Sequence, residues 1–175
     1  MHIGVFGISG TGKTTLTTSF LQDRLDYFGT SASYLIAHAG NEINYKSLNN
    51  DKISRNQEIL INQYNELKNE YPNTIIELHN VIEVDAGLSW IPSEVLLALN
   101  LDFIFFLYTE ADEILKRRIS DTKKSRKTAT AKELHKIQEL SLENLISVFG
   151  KNNVHIISGV DANKQLNNIL EQDEV

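Results

Sequence analysis

Cysteine is absent from the 175 residues of the sequence. Its absence excludes disulfide bonds, thiolate metal sites and a cysteine nucleophile, and it is typical of intracellular proteins. No apolar run approaches the ~18 residues that a membrane-spanning helix needs. The first residues have the pattern of a buried strand, not that of a charged and then apolar leader peptide. We therefore expect a cytoplasmic protein without a membrane segment.

Positive charge is also scarce, because 17 lysines and arginines stand against 23 aspartates and glutamates and give a net charge of −6. This balance argues against general binding of nucleic acids. The length and the hydrophobic content of 41% predict one globular domain, residues 1–175, with a sizeable core. The positive charges are clustered, however, and seven of the 17 lie in one window: Lys116, Arg117, Arg118, Lys123, Lys124, Arg126 and Lys127.

Residues 7–14 read Gly-Ile-Ser-Gly-Thr-Gly-Lys-Thr and match the phosphate-binding loop motif G-x-x-x-x-G-K-[ST]. The preceding residues 2–6 are largely apolar, as in a buried strand. Leu16, Phe20 and Leu21 follow at the spacing of an amphipathic helix. Since the motif needs a strand before it and a helix after it, its context is present, and we interpret it as a nucleotide site.

The residue types of the loop explain how it binds an anion. Glycines permit positive φ angles and a close approach of the backbone. Successive N–H groups and the positive end of the next helix then point at one place. We expect Lys13 to contact the β- and γ-phosphates and Thr14 to ligate Mg²⁺. The predicted nucleotide-binding residues of this segment are Gly7, Ile8, Ser9, Gly10, Thr11, Gly12, Lys13, Thr14 and Thr15.

Short β-type segments alternate with helical patterns along the rest of the chain. Strands are predicted at 2–6, 32–37, 74–78, 103–107 and 154–157, and a loop at 79–91. Helices without a capping box are predicted at 13–28, from Pro92 through Leu99 and at 162–172. Three further helices are predicted to begin at capping boxes: Ser54 with Gln57 for a helix to Tyr71, Thr109 with Asp112 for a helix to Ile119, and Thr130 with Glu133 for a helix to Gly150.

This alternation predicts an α/β fold in which five parallel strands carry helices on both faces, a three-layer α/β/α sandwich. In such sheets, ligands bind outside the carboxyl ends of the strands. The phosphate loop should therefore share one crevice with the segments 38–42, 77–80, 108–110 and 158–161.

Glu77 ends an apolar strand, where a nucleotide-dependent enzyme places the carboxylate that orients Mg²⁺. We expect Thr14 and Glu77 to hold the metal together. Asp85 is an alternative acid, because residues 81–85 also end in a carboxylate after alternating apolar residues. A solvated acid at the end of the strand is the simplest alternative. His79 and Asn80 are candidates to line the crevice, and a structural hydrogen-bonding role is the alternative for His79.

The basic window has three interpretations. A solvated helix face and loop is the simplest. A flexible lid at about residues 117–130 is the functional one, since arginines on a mobile element stabilise the charge of phosphoryl transfer while they exclude water. Arg117 and Arg126 are the predicted catalytic arginines beside Lys13, and Arg118 and Lys124 are further candidates. A nucleic-acid patch is disfavoured because no aromatic residues are interleaved.

Two classes of nucleotide-binding protein are not expected, because the features that they need are absent from the sequence. No N-K-x-D motif follows a strand, since Asn163-Lys164-Gln165-Leu166 lacks the acid, and a guanine-specific switch GTPase is therefore not expected. The chain is also too short for a helicase core or for an AAA-type lid domain after its phosphate loop.

With these segments in order, the chain resembles the P-loop nucleoside monophosphate kinases, and among them the archaeal-type adenylate kinases. The similarity runs from the loop through His38-Ala39-Gly40-Asn41, Glu77-Leu78-His79-Asn80-Val81-Ile82, Gly87-Leu88 with Pro92, Arg117 to Arg126, and Ser158-Gly159-Val160-Asp161. The resemblance implies the strand order 2-3-1-4-5 and transfer of a phosphoryl group from Mg-ATP to a monophosphate. It also implies an acceptor-binding region at about 38–71, and nucleotide contacts by Arg117 and by Gly159 in a base-contacting turn.

The residues that correspond to the acceptor-binding site differ from those of this family. Glu77 stands where the family has an aspartate, and Glu83 stands where it has an arginine that binds the acceptor phosphate. The second acceptor arginine corresponds to Lys46, or to Arg55 in a shifted alignment. A carboxylate at position 83 should repel AMP unless Lys46, Arg55 or a lid arginine compensates its charge.

We thus expect an ATP-dependent phosphotransferase with ATP and Mg²⁺ as cofactors and a small molecule as acceptor. Neither a nucleic acid nor a membrane is expected among its partners. A kinase for a small hydroxyl or phosphate compound other than AMP is the alternative inside this class. A nucleotide-dependent regulatory module with slow hydrolysis is the alternative outside it, and the clustered arginines favour the kinase.

Overall fold

Seven strands occur in the structure, a computed structural model that describes residues 1–40, 50–84, 87–121 and 129–173. They are β1 (His2–Phe6), β2 (Phe28–Ser31), β3 (Thr74–Leu78), β4 (Val81–Val84), β5 (Gly87–Trp90), β6 (Phe103–Tyr108) and β7 (Val154–Ser158). Five of them form a parallel sheet in the order β2-β3-β1-β6-β7, and β4 and β5 pair as a separate antiparallel hairpin. Numbered along the sheet strands alone, the order is 2-3-1-4-5, as predicted.

The register of the sheet brings the ends of the central strands together. Val5 of β1 lies opposite Glu77 on one side and Phe105 on the other, and Tyr108 lies opposite Ser158 at the end of β6 and β7. Because all five strands are parallel, the segments that follow them leave from one edge of the sheet. The loop after β1 starts at the centre of that edge.

Helices cover both faces of the sheet. They are α1 (Lys13–Asp23), α2 (Ala32–His38), α3 (Asn50–Glu70), α4 (Ser93–Ala98), α5 (Ala111–Ser120), α6 (Ala131–Phe149) and α7 (Ala162–Asp173). Phe6, Leu78 and Phe106 belong to a core on one face, with apolar residues of α2, α3, α4 and α6. Val5 and Phe105 belong to the core on the other face, with those of α1 and α7. The three-layer α/β/α prediction is confirmed.

A third, smaller core lies above the edge of the sheet. It contains Ile8 of the phosphate loop, Val81 of the hairpin, Ile114 of α5 and Leu134 of α6, all buried. Four segments that are distant in sequence are thus packed against one another beside the loop.

The prediction of the second strand is wrong. Residues 32–37 form most of α2, and the strand lies just before them, where Phe28–Ser31 pairs with Thr74–Glu77 of β3. Ser31 caps the helix by accepting a hydrogen bond from the N–H of Tyr34 at 3.1 Å. The first helix consequently ends at Asp23 rather than at Phe28, because Phe28 is needed in the strand.

Two predicted caps and one loop are also corrected. Helix α3 begins at Asn50, so Ser54 lies inside the helix rather than at its cap. Glu110 precedes α5 without a side-chain cap, because the hydroxyl of Thr109 bonds to another segment. The predicted loop at 79–91 contains the β4–β5 hairpin. The capping box of Thr130 and Glu133 at the start of α6 is confirmed.

Within the described ranges, none of the helices combines the length and the apolar character needed to cross a membrane.

Candidate active site

The phosphate loop connects the end of β1 at Phe6 to the start of α1 at Lys13. Gly10 and Gly12 have φ angles of +95° and +97°, a conformation that residues with a side chain rarely adopt. The position of Gly12 is also crowded, because a Cβ there would lie 2.6 Å from Nη1 of Arg117. The two glycines therefore permit the curvature of the loop and the approach of an arginine to it.

The amino end of α1 is open to an anion. Gly12 precedes the helix without a side-chain cap, and the first turn contains no acidic residue. The first N–H groups of a helix have no partner inside the helix, and the helix dipole adds partial positive charge there. Residues 13–15 thus present backbone donors beside the exposed residues Thr14 and Thr15.

Lys13 is almost completely buried, with 6% of its surface exposed. Its Nζ donates hydrogen bonds to the carbonyl oxygen of Gly7 at 2.8 Å and to that of Ile8 at 3.2 Å. The ammonium group therefore lies within the loop, against its first two residues. A cation in this place is suited to offset the charge of a bound polyphosphate.

Glu77 receives hydrogen bonds from two hydroxyl groups of α1. Thr14 Oγ1 donates to Oε2 and Thr17 Oγ1 donates to Oε1, each at 2.7 Å. The structure therefore brings together the two residues that the sequence predicted as metal ligands. Sequence reasoning missed Thr17, although its position one turn after Thr14 on the same helix face was the signal for it.

A second set of contacts holds the middle of the loop. The carbonyl oxygen of Thr11 accepts hydrogen bonds from Thr109 Oγ1 at 2.9 Å and from Arg117 Nη1 at 2.7 Å. Gln138 of α6 is fully buried; it donates to the carbonyl of Thr109 at 2.9 Å and accepts from its N–H at 3.1 Å. Gln138 was not predicted, and its only signal was a polar residue on the inner side of α6.

The two adjacent arginines of α5 contact different parts of the loop. Arg117 reaches Thr11 and also donates from Nε to Glu113 at 3.2 Å. Arg118 donates from Nε to the carbonyl of Ser9 at 2.9 Å, and its guanidinium group forms an ion pair with Glu83 of β4. The start of the predicted lid therefore lies directly against the phosphate loop.

Tyr108 ends β6 beside α6, where its Oη lies 3.2 Å from Nδ1 of His135. Burial, followed by a hydrogen bond with Glu139, raises the pKa of Tyr108 above its ordinary value. A tyrosine is neutral near neutral pH even at its ordinary pKa of about 10, so the hydroxyl group adds hydrogen bonding, but no charge, to this edge of the sheet.

The predicted base-contacting turn follows β7 at the same edge. Gly159 has a φ of +72°, and the next residue, Val160, is fully exposed. Gln165 of α7 fixes the start of the turn by accepting from the N–H of Ser158 at 3.1 Å and donating to its carbonyl at 3.0 Å. The first residue of the turn is therefore fixed by hydrogen bonds, and its apolar tip at Val160 is exposed.

Asn80 does not line the crevice. It is fully buried, and its Nδ2 donates to the carbonyl of Ser141 and to Oδ1 of Asn144, both at 2.8 Å. Its Oδ1 accepts from the hydroxyl of Ser141 at 2.6 Å. The prediction that Asn80 lines the crevice is therefore wrong, because its side chain is used up in hydrogen bonds to α6.

Several predicted positions lie outside the described residues. They are Asn41, Glu42, Lys46, Asp85, Thr122, Lys123, Lys124, Arg126 and Lys127. The choice between Glu77 and Asp85, and the contacts of Arg126, consequently stay predictions from the sequence.

A family model described as an AAA domain matches residues 6–135, which include the phosphate loop, Glu77, the hairpin and α5. The chain belongs to the AAA domain family. Residues after 135 complete α6, add the edge strand β7 to the sheet and supply α7, which packs on the sheet.

This AAA domain is similar to known kinases. The adenylate kinase of Methanococcus aeolicus is 29% identical over 147 residues, 77% of this chain and 75% of that protein. The structure of shikimate kinase from Acinetobacter baumannii in complex with shikimate has a TM-score of 0.61 at 15% identity, covering 98% of this chain and 91% of that one. A gluconokinase from Sinorhizobium meliloti has a TM-score of 0.58 at 13% identity, covering 99% and 95%. These likenesses agree with the predicted fold and with the predicted class, a P-loop ATP-dependent phosphotransferase.

Proposed function

We propose that the protein transfers the γ-phosphoryl group of Mg-ATP to a nucleoside monophosphate or a related small acceptor. The observation that carries the proposal is the meeting of Lys13, Thr14 and Glu77 at the amino end of α1. P-loop phosphoryl transfer needs a cation for the β- and γ-phosphates, a hydroxyl for the metal and a carboxylate to orient it. All three groups lie at one place, and the adenylate kinase relative supports the same reaction class.

The oxygen donors of Thr14 and Glu77 fit Mg²⁺. This ion prefers oxygen ligands and is usually held by one or two protein groups together with phosphates and water. Among the described residues, no group of three or more His, Cys, Asp or Glu side chains offers a protein-only metal site. The Thr14 hydroxyl donates its hydrogen to Glu77 and retains lone pairs for a metal. When bound, Mg²⁺ would neutralise charge on the phosphates.

The residues of the chain have distinct roles in this proposal. The backbone N–H groups of the loop bind the phosphates, and Lys13 offsets their charge. Arg117, held against Thr11, stabilises the negative charge that develops on the transferred group. Arg126 is proposed as the second such arginine, on a lid at about 117–130 that closes over the nucleotide. The turn at Gly159 is proposed to contact the base.

The acceptor is proposed to bind at about residues 38–71, next to the β4–β5 hairpin, within a single kinase domain. A groove between the end of α2 and α3 lies in this region and contains an arginine. Its lining residues are Ala39, Arg55, Glu58, Ile59, Asn62 and Gln63. A guanidinium group there is suited to a phosphate or carboxylate of the acceptor.

A small hydroxyl compound other than AMP is the second candidate acceptor, and Glu83 favours it. Nη2 of Arg118 lies 2.8 Å from Oε2 of Glu83, so the pair has little net charge and the predicted repulsion of AMP is weakened. The guanidinium group of Arg118 is engaged, however, and position 83 itself offers none for an acceptor phosphate. We therefore expect AMP to be converted with a kcat/KM below the usual range of about 10⁴–10⁸ M⁻¹s⁻¹.

A coupled assay of ADP formation with Mg-ATP tests the proposal against AMP, the other nucleoside monophosphates and small hydroxy acids. Lys13→Ala, purified in the same way, measures contaminating kinase activity. Acceptor-dependent ADP formation by the wild type alone supports the proposal. Slow ATP hydrolysis that no acceptor stimulates indicates a regulatory module instead. AMP conversion within the usual range overturns the second candidate, and failure to bind Mg-ATP overturns the proposal itself.

A further inference from the structure

Arg118 connects three segments of the site with one guanidinium group. Its Nε donates to the carbonyl of Ser9 in the phosphate loop at 2.9 Å. Its Nη1 and Nη2 lie 3.1 and 2.8 Å from Oε1 and Oε2 of Glu83 in the hairpin. The side chain of Arg118 is only 6% exposed, and that of Glu83 is 25% exposed. The contact is therefore a partly buried junction, closed on the side of Arg118, rather than an exposed surface ion pair.

The apolar surroundings of Arg118 seat the same part of the loop. A Cβ at Gly10 would lie 3.2 Å from Cγ of Arg118 and 3.2 Å from Cγ2 of Ile114. Ile114, one turn earlier on α5, is buried with Ile8 of the loop and Val81 of the hairpin. The backbone of the loop thus contacts α5 in two ways. Ser9 accepts a hydrogen bond from Arg118, and Gly10 packs against the apolar atoms of Ile114 and Arg118.

The junction between Ser9 and Glu83 requires an arginine because of the geometry of its guanidinium group. The planar guanidinium group has donors that point in fixed and different directions, so one group satisfies a carboxylate and a carbonyl at once. A lysine has the same charge on a single nitrogen and cannot maintain all three contacts. Because a buried charge needs a partner, Glu83 in turn keeps Arg118 in place.

We propose that Arg118 is a positioning residue for nucleotide binding, which acts through the carbonyl of Ser9, and that Glu83 positions Arg118. The conformation of the phosphate loop at Ser9 and Gly10 then depends on the β4–β5 hairpin. This role differs from that of Arg117, which contacts Thr11 on the other part of the loop. The inference rests on the proposed function only in taking Mg-ATP as the ligand of the loop.

The test uses Mg²⁺ with the non-hydrolysable analogue AMP-PNP, titrated into the full-length protein by calorimetry without an acceptor. Arg118→Lys should raise the Kd about tenfold or more, the factor expected for losing a hydrogen bond to a charged group. Glu83→Gln should raise it by a smaller factor. The double variant should match Arg118→Lys, because both changes break one junction. Arg24→Lys, at an arginine outside the site, should leave the Kd unchanged.

A charge swap separates positioning from a merely structural ion pair. Glu83→Arg combined with Arg118→Glu restores the opposite charges, but a carboxylate at 118 cannot donate to Ser9. We expect its thermal stability to recover relative to either single change while the Kd stays raised. Wild-type Kd values for folded Arg118→Lys, or full recovery of affinity in the swap, overturn the inference. If the wild type itself does not bind Mg-AMP-PNP, the proposed function fails and not only this inference.

Discussion

The hydroxyl group of Thr14 donates a 2.7 Å hydrogen bond to Oε2 of Glu77. The register of the sheet explains the contact, because Glu77 in β3 lies opposite Val5 of β1, directly upstream of the loop. The carboxylate is thus placed beside the first turn of α1 by strand pairing, and its second oxygen is fixed by Thr17. Two hydroxyl groups of α1 consequently hold Glu77 in one orientation.

Removal of the charge at Glu77 should weaken the response to magnesium. Glu77→Gln keeps the size of the side chain but loses one acceptor for Thr14 or Thr17. Changes of groups that orient metal ligands usually cost about 10–100-fold in metal affinity or activity. We expect the Mg²⁺ concentration for half-maximal turnover to rise by a factor in that range. Glu110→Gln, an exposed residue near the site, is the matched control.

Asp85→Asn completes the comparison, because Asp85 was the alternative acid. A normal magnesium response of Asp85→Asn beside a shifted one of Glu77→Gln assigns the role to Glu77. The reverse result would show that the acid at the end of β3 is the wrong choice.

The central part of the site was predictable because its signals are local. The loop motif fixes the spacing of Gly12, Lys13 and Thr14, and an acid after an apolar strand identifies Glu77. Gln138 was not predictable, and for Thr109 the sequence predicted the crevice but not the hydrogen bond to the loop, because these roles come from contacts between α6, the end of β6 and the loop. Thr109 lies 98 positions from its partner Thr11, and Gln138 lies 29 positions from Thr109. Contacts across such separations leave no periodic pattern in the sequence.

The second strand shows a different limit. A short apolar run such as 32–37 has no periodicity that separates a strand from a buried helix. The structure uses Leu35 and Ile36 as the buried face of α2. The residues that do form β2 include Gly29 and Ser31, which have low strand propensity, and pairing with β3 outweighs that preference.

Removal of the ammonium group of Lys13 should abolish nucleotide binding without unfolding the protein. Lys13→Met keeps the unbranched stem in the buried site, whereas Lys13→Ala leaves more space there. Two carbonyl groups lose a donor in each variant, so we expect a loss of about 1–3 kcal/mol in unfolding free energy. Calorimetric titration with Mg-ATP and a denaturant series measure both effects. Wild-type affinity in a folded Lys13→Met would contradict the assignment of the loop.

Asn80 should be important for stability rather than for catalysis. Its side chain is fully buried and bonds to Ser141 and Asn144, so Asn80→Ala leaves the hydroxyl of Ser141 without its acceptor. Each buried polar group left unpaired costs about 1–3 kcal/mol. At about 2–4 °C per kcal/mol, the melting temperature should fall by several degrees. Asn65→Ala, on an exposed position of α3, is the control.

The kinetic result distinguishes this role from one in the crevice. Measured well below its melting temperature, Asn80→Ala should retain a kcat close to that of the wild type. A large loss of kcat at unchanged melting temperature would contradict the structural role and show that Asn80 acts in the active-site crevice.

Arg117 should stabilise the transition state more than the bound substrate. Its Nη1 lies 2.7 Å from the carbonyl of Thr11, and the absence of a side chain at Gly12 permits that approach. A guanidinium group so close to the phosphate loop is suited to the charge that spreads over the transferred phosphoryl group. An arginine in this role is worth about 10³-fold or more in rate.

We therefore expect Arg117→Ala to lower kcat by about 10³-fold with a smaller change in the KM for ATP. Lys116→Ala, at the exposed neighbouring position, should retain normal kinetics and controls for the loss of one positive charge on α5. Arg126→Ala tests the second predicted arginine by the same split between kcat and KM. A rise in the KM for ATP at unchanged kcat would show that the arginine binds the substrate and the transition state equally well, and is therefore a ground-state contact. Normal kinetics in both variants would show that neither arginine contributes to the transition state and that catalysis depends on the loop and the metal alone.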